Sequence, residues 1–182
     1  MDKNERAFQT SLDTRKFEIE LFWKRSLFFW GFIASAFVAF ATLYKENSKY
    51  AIVIAGFGCI CSLVWTLANR GSKFWQENWE SKVAKLEDSL VGKLFKDVEG
   101  VQKKFILLRA QKYSVSKLAI ALSDYVLIIW LGIMLALIFK HLNWFKIISS
   151  ETLIVIFMIF TLIYSAYIII FARTSPNKKA ET

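Results

Sequence analysis

Four apolar runs divide the chain: Leu27–Tyr44, Tyr50–Ala68, Leu118–Phe139 and Thr152–Phe171. A helix needs roughly 20 apolar residues to cross a ~30 Å hydrocarbon core, and each run supplies about that number. The first is slightly short, and Phe22 and Trp23 extend it upstream. Helices are the expected element. A barrel would require short alternating strands separated by many turns, and that pattern is absent. The runs predict spans at 23–44, 50–68, 117–140 and 151–172. Around them lie an N-terminal segment at 1–22, a middle segment at 69–116, short connections at 45–49 and 141–150, and a tail at 173–182.

Helical spacing also extends beyond the spans. Asp13 or Thr14 is a candidate N-cap for the first helix. After it, Glu20 stands at i,i+4 from both Lys16 and Lys24. Trp23 and Trp30 bracket the membrane entry. The connection "KENSK" is short enough to imply a tight helical hairpin. In the middle segment the pattern predicts a helix from Lys73 to Val91, a break at Gly92 and Gly100, and a second helix from Val101. Two such helices are too small to bury a core of their own. Trp144 and Phe145 suit a membrane interface, Ser149 or Ser150 can cap the last span, and "RTSPNKKAET" is expected to be disordered.

Composition agrees with membrane residence. The 182 residues are 55% hydrophobic and 16% aromatic, with a single proline, whereas soluble domains are about 45–50% apolar. The distribution of Lys and Arg then orients the chain. Twenty lie in the N-terminal segment, the middle segment or the tail, against Lys45, Lys49, Lys140 and Lys146 in the other two connections. This asymmetry predicts cytoplasmic termini and a cytoplasmic middle segment. The net charge of +9 is thus mainly a topology signal. Attraction to anionic lipid accounts for it more simply than a nucleic-acid partner, which is not expected. The first apolar run begins too far from Met1 for a cleaved signal peptide.

Candidate chemistry is sparse. His141 stands alone and is expected to be interfacial. Cys59 and Cys61 point to nearly opposite sides of a helix, so they suit packing better than a shared metal or disulfide. "GFGC" at 56–59 lacks the lysine of a nucleotide loop. Glu87–Asp88 suits a solvated helix. No catalytic residue, metal or cofactor is expected. Asp124, well inside span 3, is the sharper candidate. An intramembrane carboxylate is costly unless protonated or paired, which leaves an ion path or an interfacial pairing with Lys24, Arg25 or Arg70.

Three patterns point to packing. Gly31, Ser35 and Ala39 form a small-residue ridge on span 1, and Gly58 and Ser62 form another on span 2. An apolar stripe runs through Trp75, Trp79, Val83, Leu86, Leu90 and Leu94. Glu80 and Glu87 flank it on one side, and Lys82 and Lys85 on the other. A helix lying on anionic lipid should carry lysine along both edges. Unlike edges suit helix-to-helix packing between copies in a closed ring. Asn69, Arg70 and Gly71, leading into Ser72 and Lys73, are expected to form the exit turn from span 2.

"RKFEIELFWKRSLFFWGFIASAF" (15–37) and "WTLANRGSKFWQENWE" (65–80) resemble the RipA-like family of small bacterial inner-membrane proteins, described as octameric. Specific residues carry the resemblance over about the first half of the chain, and general plan carries it over the second. It implies a homo-octamer in the cytoplasmic membrane with no established enzymatic activity. It further implies a part in host adaptation, intracellular growth or envelope homeostasis. The expectation from sequence is an all-α protein with four transmembrane helices, whose partners are copies of itself and membrane lipids. Its role is structural or regulatory. The alternative is a channel or transporter subunit using Asp124.

Overall fold

The computed structural model describes residues 2–94, 113–141 and 150–172. Among them every regular element is a helix: α1 (Lys3–Lys45), α2 (Ala51–Leu90), α3 (Val115–His141) and α4 (Ser150–Phe171). Three of these, α1, α2 and α3, are long and apolar enough to cross a membrane. α4 is 22 residues long, with an apolar stretch at Met158–Phe171. The second middle-segment helix, the break at Gly100, the interfacial Trp144 and Phe145, and the tail lie outside the described residues.

The ends of the first two helices follow from capping chemistry. α1 starts at Lys3 rather than near Asp13: the Asp2 carbonyl already accepts the Arg6 N–H at 3.0 Å, and the Asp2 carboxylate accepts the Lys3 N–H at 2.6 Å. Thr14 is a helical residue whose hydroxyl donates to the Thr10 carbonyl. An Asp cap followed by Glu5 in the first turn satisfies free amides and complements the helix dipole. At the other end Asn47 takes a left-handed φ of 52°. Ser48 N–H then reaches back to the Leu43 carbonyl at 2.9 Å, which is the bond of a Schellman stop. The Ser48 hydroxyl accepts the Tyr50 N–H and α2 begins, so "KENSK" makes the tight turn its length implied. α2 closes at Leu90 with Gly92 at φ 75°, a position only glycine adopts without strain.

The expected turn at Asn69–Gly71 does not occur. α2 continues unbroken through Ser72 and Lys73 to Leu90. The reason is periodicity. Asn69, Ser72, Gln76, Val83 and Glu87 are buried at steps of three, four, seven and four, the spacing of one helical face, so that face continues through the glycine. A helical Gly costs only about 1 kcal/mol relative to Ala, too little to stop such a helix.

The chain divides into two compact units, Met1–Phe28 with Leu67–Lys112 and Phe29–Thr66 with Tyr113–Thr182. In the first, the start of α1 runs antiparallel to the end of α2. Arg15 pairs with Glu80 at 3.3 Å, and Arg25 donates to the Ser72 hydroxyl at 2.9 Å. Phe8, Ser11, Phe22 and Ser26 are the buried positions of α1 here.

In the second unit, Trp30 meets Trp65 edge to face at 6.4 Å. The core gathers Ala36, Ala55 and Trp130, with Phe37, Phe40 and Val126 packed against it. α3 and α4 are antiparallel. Tyr125 and Thr161 share a hydroxyl–hydroxyl bond at 2.9 Å, Tyr164 donates to the Ala121 carbonyl at 2.9 Å, and Ser114 N–H donates to the Ala172 carbonyl. Tyr125, Phe160, Tyr164, Tyr167 and Phe171 form an aromatic ladder along this pair, and Lys117 lies over its last ring.

Candidate functional site

The two small-residue ridges have opposite fates. Gly58 is fully packed: a Cβ added there would collide with the indole of Trp130. Ser62 is completely buried and donates to the Gly58 carbonyl at 2.8 Å. That ridge serves packing within one chain. On α1, by contrast, Gly31 has nothing within 4 Å of where its Cβ would stand. Gly31 and Ser35 are exposed, and Ala39 is half-buried. A shallow ridge left open on an apolar helix lets another helix come close, so the backbones gain dispersion contacts and weak Cα–H hydrogen bonds.

The helix after span 2 is rotated from the expected stripe. Val83 is buried, but Trp75 is 50% exposed, and Trp79, Leu86 and Leu90 are half-buried. Polar residues occupy the packed face: Ser72, Gln76 and Glu87, with Glu87 at 0% exposure. The acidic edge is therefore drawn into the chain, Glu87 by burial and Glu80 through Arg15. Lys82 and Lys85 remain exposed, Lys82 with its ammonium 4.0 Å from the centre of the Trp79 ring. The unlike-edge scheme for meeting a neighbour is thus half consumed inside the protomer.

Arg70 and Gly71 are exposed, Asn69 and Ser72 are buried, and the Lys73 ammonium pairs with Glu77 at 3.2 Å. Asp124 is half-buried on α3, between buried Ser123 and Tyr125, whose hydroxyl bonds Thr161. Cys59 and Cys61 are free thiols. His141 ends α3, and its side chain is outside the described set. Among the described residues no three His, Cys, Asp or Glu side chains gather as a metal site.

An open cleft of about 270 Å³ lies between Phe29 and Phe32 on α1 and Phe57, Ile60, Cys61 and Val64 on α2. Its apolar lining can hold a hydrocarbon chain.

Two features escaped the sequence reading. Trp130 was counted only as span residue, yet it is fully buried at the centre of the second unit. Nothing in that largely apolar run marks whether its one tryptophan turns inward or faces lipid. The Arg25–Ser72 bond was also missed. Its signal was present: Ser62, Thr66, Asn69, Ser72 and Gln76 recur at helical spacing, a polar line that only a helix crossing the supposed turn would create.

No curated protein and no solved structure matches the chain. A family model does, over residues 5–139. That span takes in the open ridge of α1, the packed ridge of α2 and Trp130, and it agrees with the resemblance in "RKFEIELFWKRSLFFWGFIASAF" and "WTLANRGSKFWQENWE". With apolar helices long enough to cross a bilayer and a match over most of its length, this chain belongs to the octameric membrane protein family (8xMP).

Proposed function

We propose that the protein is a non-enzymatic scaffold of the bacterial cytoplasmic membrane. Four spans place both termini and the segment between α2 and α3 in the cytoplasm, and eight copies close into a ring. The ring supports envelope homeostasis and, in a pathogen, adaptation to growth inside host cells. The membership in an octameric family supports self-assembly, and the distribution of lysine and arginine supports the orientation.

The observation that carries the reading is the open ridge at Gly31 and Ser35. In lipid the hydrophobic effect does not drive helices together, so close backbone approach at small residues is a main source of association. Gly31 makes a clean test because a Cβ added there has no atom within 4 Å. Gly31→Leu with Ser35→Leu should shift the native mass of the detergent-solubilised protein from octamer to smaller species while helical circular dichroism is retained. An unchanged octamer mass rejects this face as the contact. The cellular role is tested separately, by restoring a deletion strain with wild-type or Gly31→Leu protein and scoring envelope stress and intracellular growth.

A second reading, a channel or transporter subunit, draws on the polar groups within α3 and α4. Asp124 stands beside Tyr125, and Tyr125 bonds Thr161. Proteoliposome conductance abolished by Asp124→Asn would favour it, and equal leak from both proteins would dismiss it.

A further inference from the structure

The charged side chains near the membrane-proximal end of the first unit are unequally neutralised. Arg15 pairs with Glu80, Lys24 with Glu20 at 3.8 Å, and Lys73 with Glu77. Arg25 differs. Its guanidinium donates to the hydroxyl of Ser72, a neutral acceptor that is 3% exposed. No carboxylate among the described residues lies within ion-pair distance of it.

An arginine has five N–H donors in a rigid fork. One serine oxygen occupies part of that fork and fixes its direction across the seam between α1 and α2. Among the described residues nothing else takes the remaining donors or balances the positive charge. A guanidinium already held in place loses less rotamer freedom when it takes a second partner, so pre-organisation favours binding.

The surroundings indicate what that partner is. On either side of Arg25 and Ser72 the first unit exposes large apolar side chains: Trp23, Leu27 and Phe28 on α1, and Leu67, Phe74 and Trp75 on α2. Such a band is at home in hydrocarbon and at its aromatic-rich boundary, where tryptophan settles at headgroup depth. A fixed cation at that boundary sits at the level of lipid phosphates. Arg matches phosphate bidentately, a geometry that lysine cannot reproduce.

We propose that Arg25, held by Ser72, forms a specific binding site for the phosphate of an anionic membrane lipid, with the exposed aromatic band as the bed for its glycerol and upper acyl chains. The site belongs to each chain, so it stands apart from the ring contact at Gly31. Lipid retention and octamer mass are read as separate quantities in one spectrum.

The test is native mass spectrometry of the full-length protein from nanodiscs holding equal phosphatidylglycerol and phosphatidylcholine, with bound lipids counted per chain. Wild type should retain phosphatidylglycerol in preference. Arg25→Gln should lower that preference roughly tenfold, and Arg25→Lys should lower it partially. Ser72→Ala should weaken it several-fold with the charge intact, since the fork is no longer aimed. Lys24→Gln should change it less than twofold, because Lys24 already has Glu20. The proposal fails if Arg25→Gln keeps the wild-type preference, or if Lys24→Gln loses as much, since diffuse attraction then explains the binding. It also fails if millimolar inorganic phosphate strips the lipid as readily from wild type as from Arg25→Gln. Should Arg25→Gln not fold, Arg25→Lys and Ser72→Ala decide on the same readout.

Discussion

Gly58 lies against the face of Trp130 so closely that a methyl group in place of its Cα hydrogen would overlap the indole carbons. The ring cannot swing aside. It is fully buried, stacked on Phe37 at 4.4 Å and met edge-on by Phe40 at 5.9 Å.

Gly58→Ala should therefore destabilise the protein by about 1–3 kcal/mol, the usual cost of overpacking a filled core. Thermal unfolding of the detergent-solubilised protein, followed by circular dichroism, measures it. Combined with Trp130→Phe, whose smaller ring leaves room, the loss should shrink. The coupling expected between touching residues is about 0.5–3 kcal/mol. Additive losses would show that the two do not share the space.

Trp130 itself carries a cost. Among the described residues its indole N–H is buried with no hydrogen-bond partner, which is worth about 1–3 kcal/mol against the fold. Trp130→Phe removes that donor and keeps an aromatic ring, so it should cost less than about 1.5 kcal/mol. Trp130→Ala empties the centre of the core and should cost about 3–5 kcal/mol. A Phe variant as unstable as the Ala variant would show that the indole is satisfied.

Two carboxylates on the second half of α2, Glu80 and Glu87, should answer differently to mutation. Glu80 is 47% exposed at its side chain and pairs directly with Arg15 at the surface. Glu80→Gln should cost no more than about 0.2–1 kcal/mol, with the difference fading in high salt. Glu87 has no exposed surface. Glu87→Lys places a different charge in a space shaped for the acid and should cost about 3–5 kcal/mol, enough to lower expression. If both substitutions shift the unfolding midpoint equally, Glu87 is not enclosed.

Asn47 sits in the left-handed region, which β-branched residues adopt only under strain. Asn47→Val should destabilise the α1–α2 turn by about 1–2 kcal/mol, whereas Asn47→Gly should be neutral within a few tenths. Chemical denaturation of the two variants in the same micelles separates them.

How much of this was legible in the sequence depends on what each residue type reports. Apolar runs marked where α1 to α4 lie, and three of these helices are long and apolar enough to cross a membrane. The "KENSK" turn was legible because so short a link admits few geometries. The exit turn at Gly71 was not a turn. Glycine is only a local helix-breaker, and the polar line at Asn69, Ser72 and Gln76 is buried along one face and holds the helix together from the side. Which ridge would be used internally was hidden for a different reason. Gly31 and Gly58 look alike in sequence, and only the position of Trp130, more than seventy residues beyond Gly58, distinguishes them. The stripe from Trp75 to Leu90 was a true periodicity with its axis misjudged, because large apolar residues near a membrane can face lipid as well as protein.

The turn at Asn47 also sets an order of construction. Its bonds join residues only a few positions apart, so the first two helices can fold back on each other as soon as they leave the ribosome. At that moment Ala36, Ala55 and Phe37 lack the ring that completes their cluster, because Trp130 has yet to be synthesised. The hairpin thus enters the bilayer with a gap in its side, and the third helix fills it. A nascent chain arrested before Trp130 should stay more open to protease and to chaperones of the insertion machinery than one arrested after it.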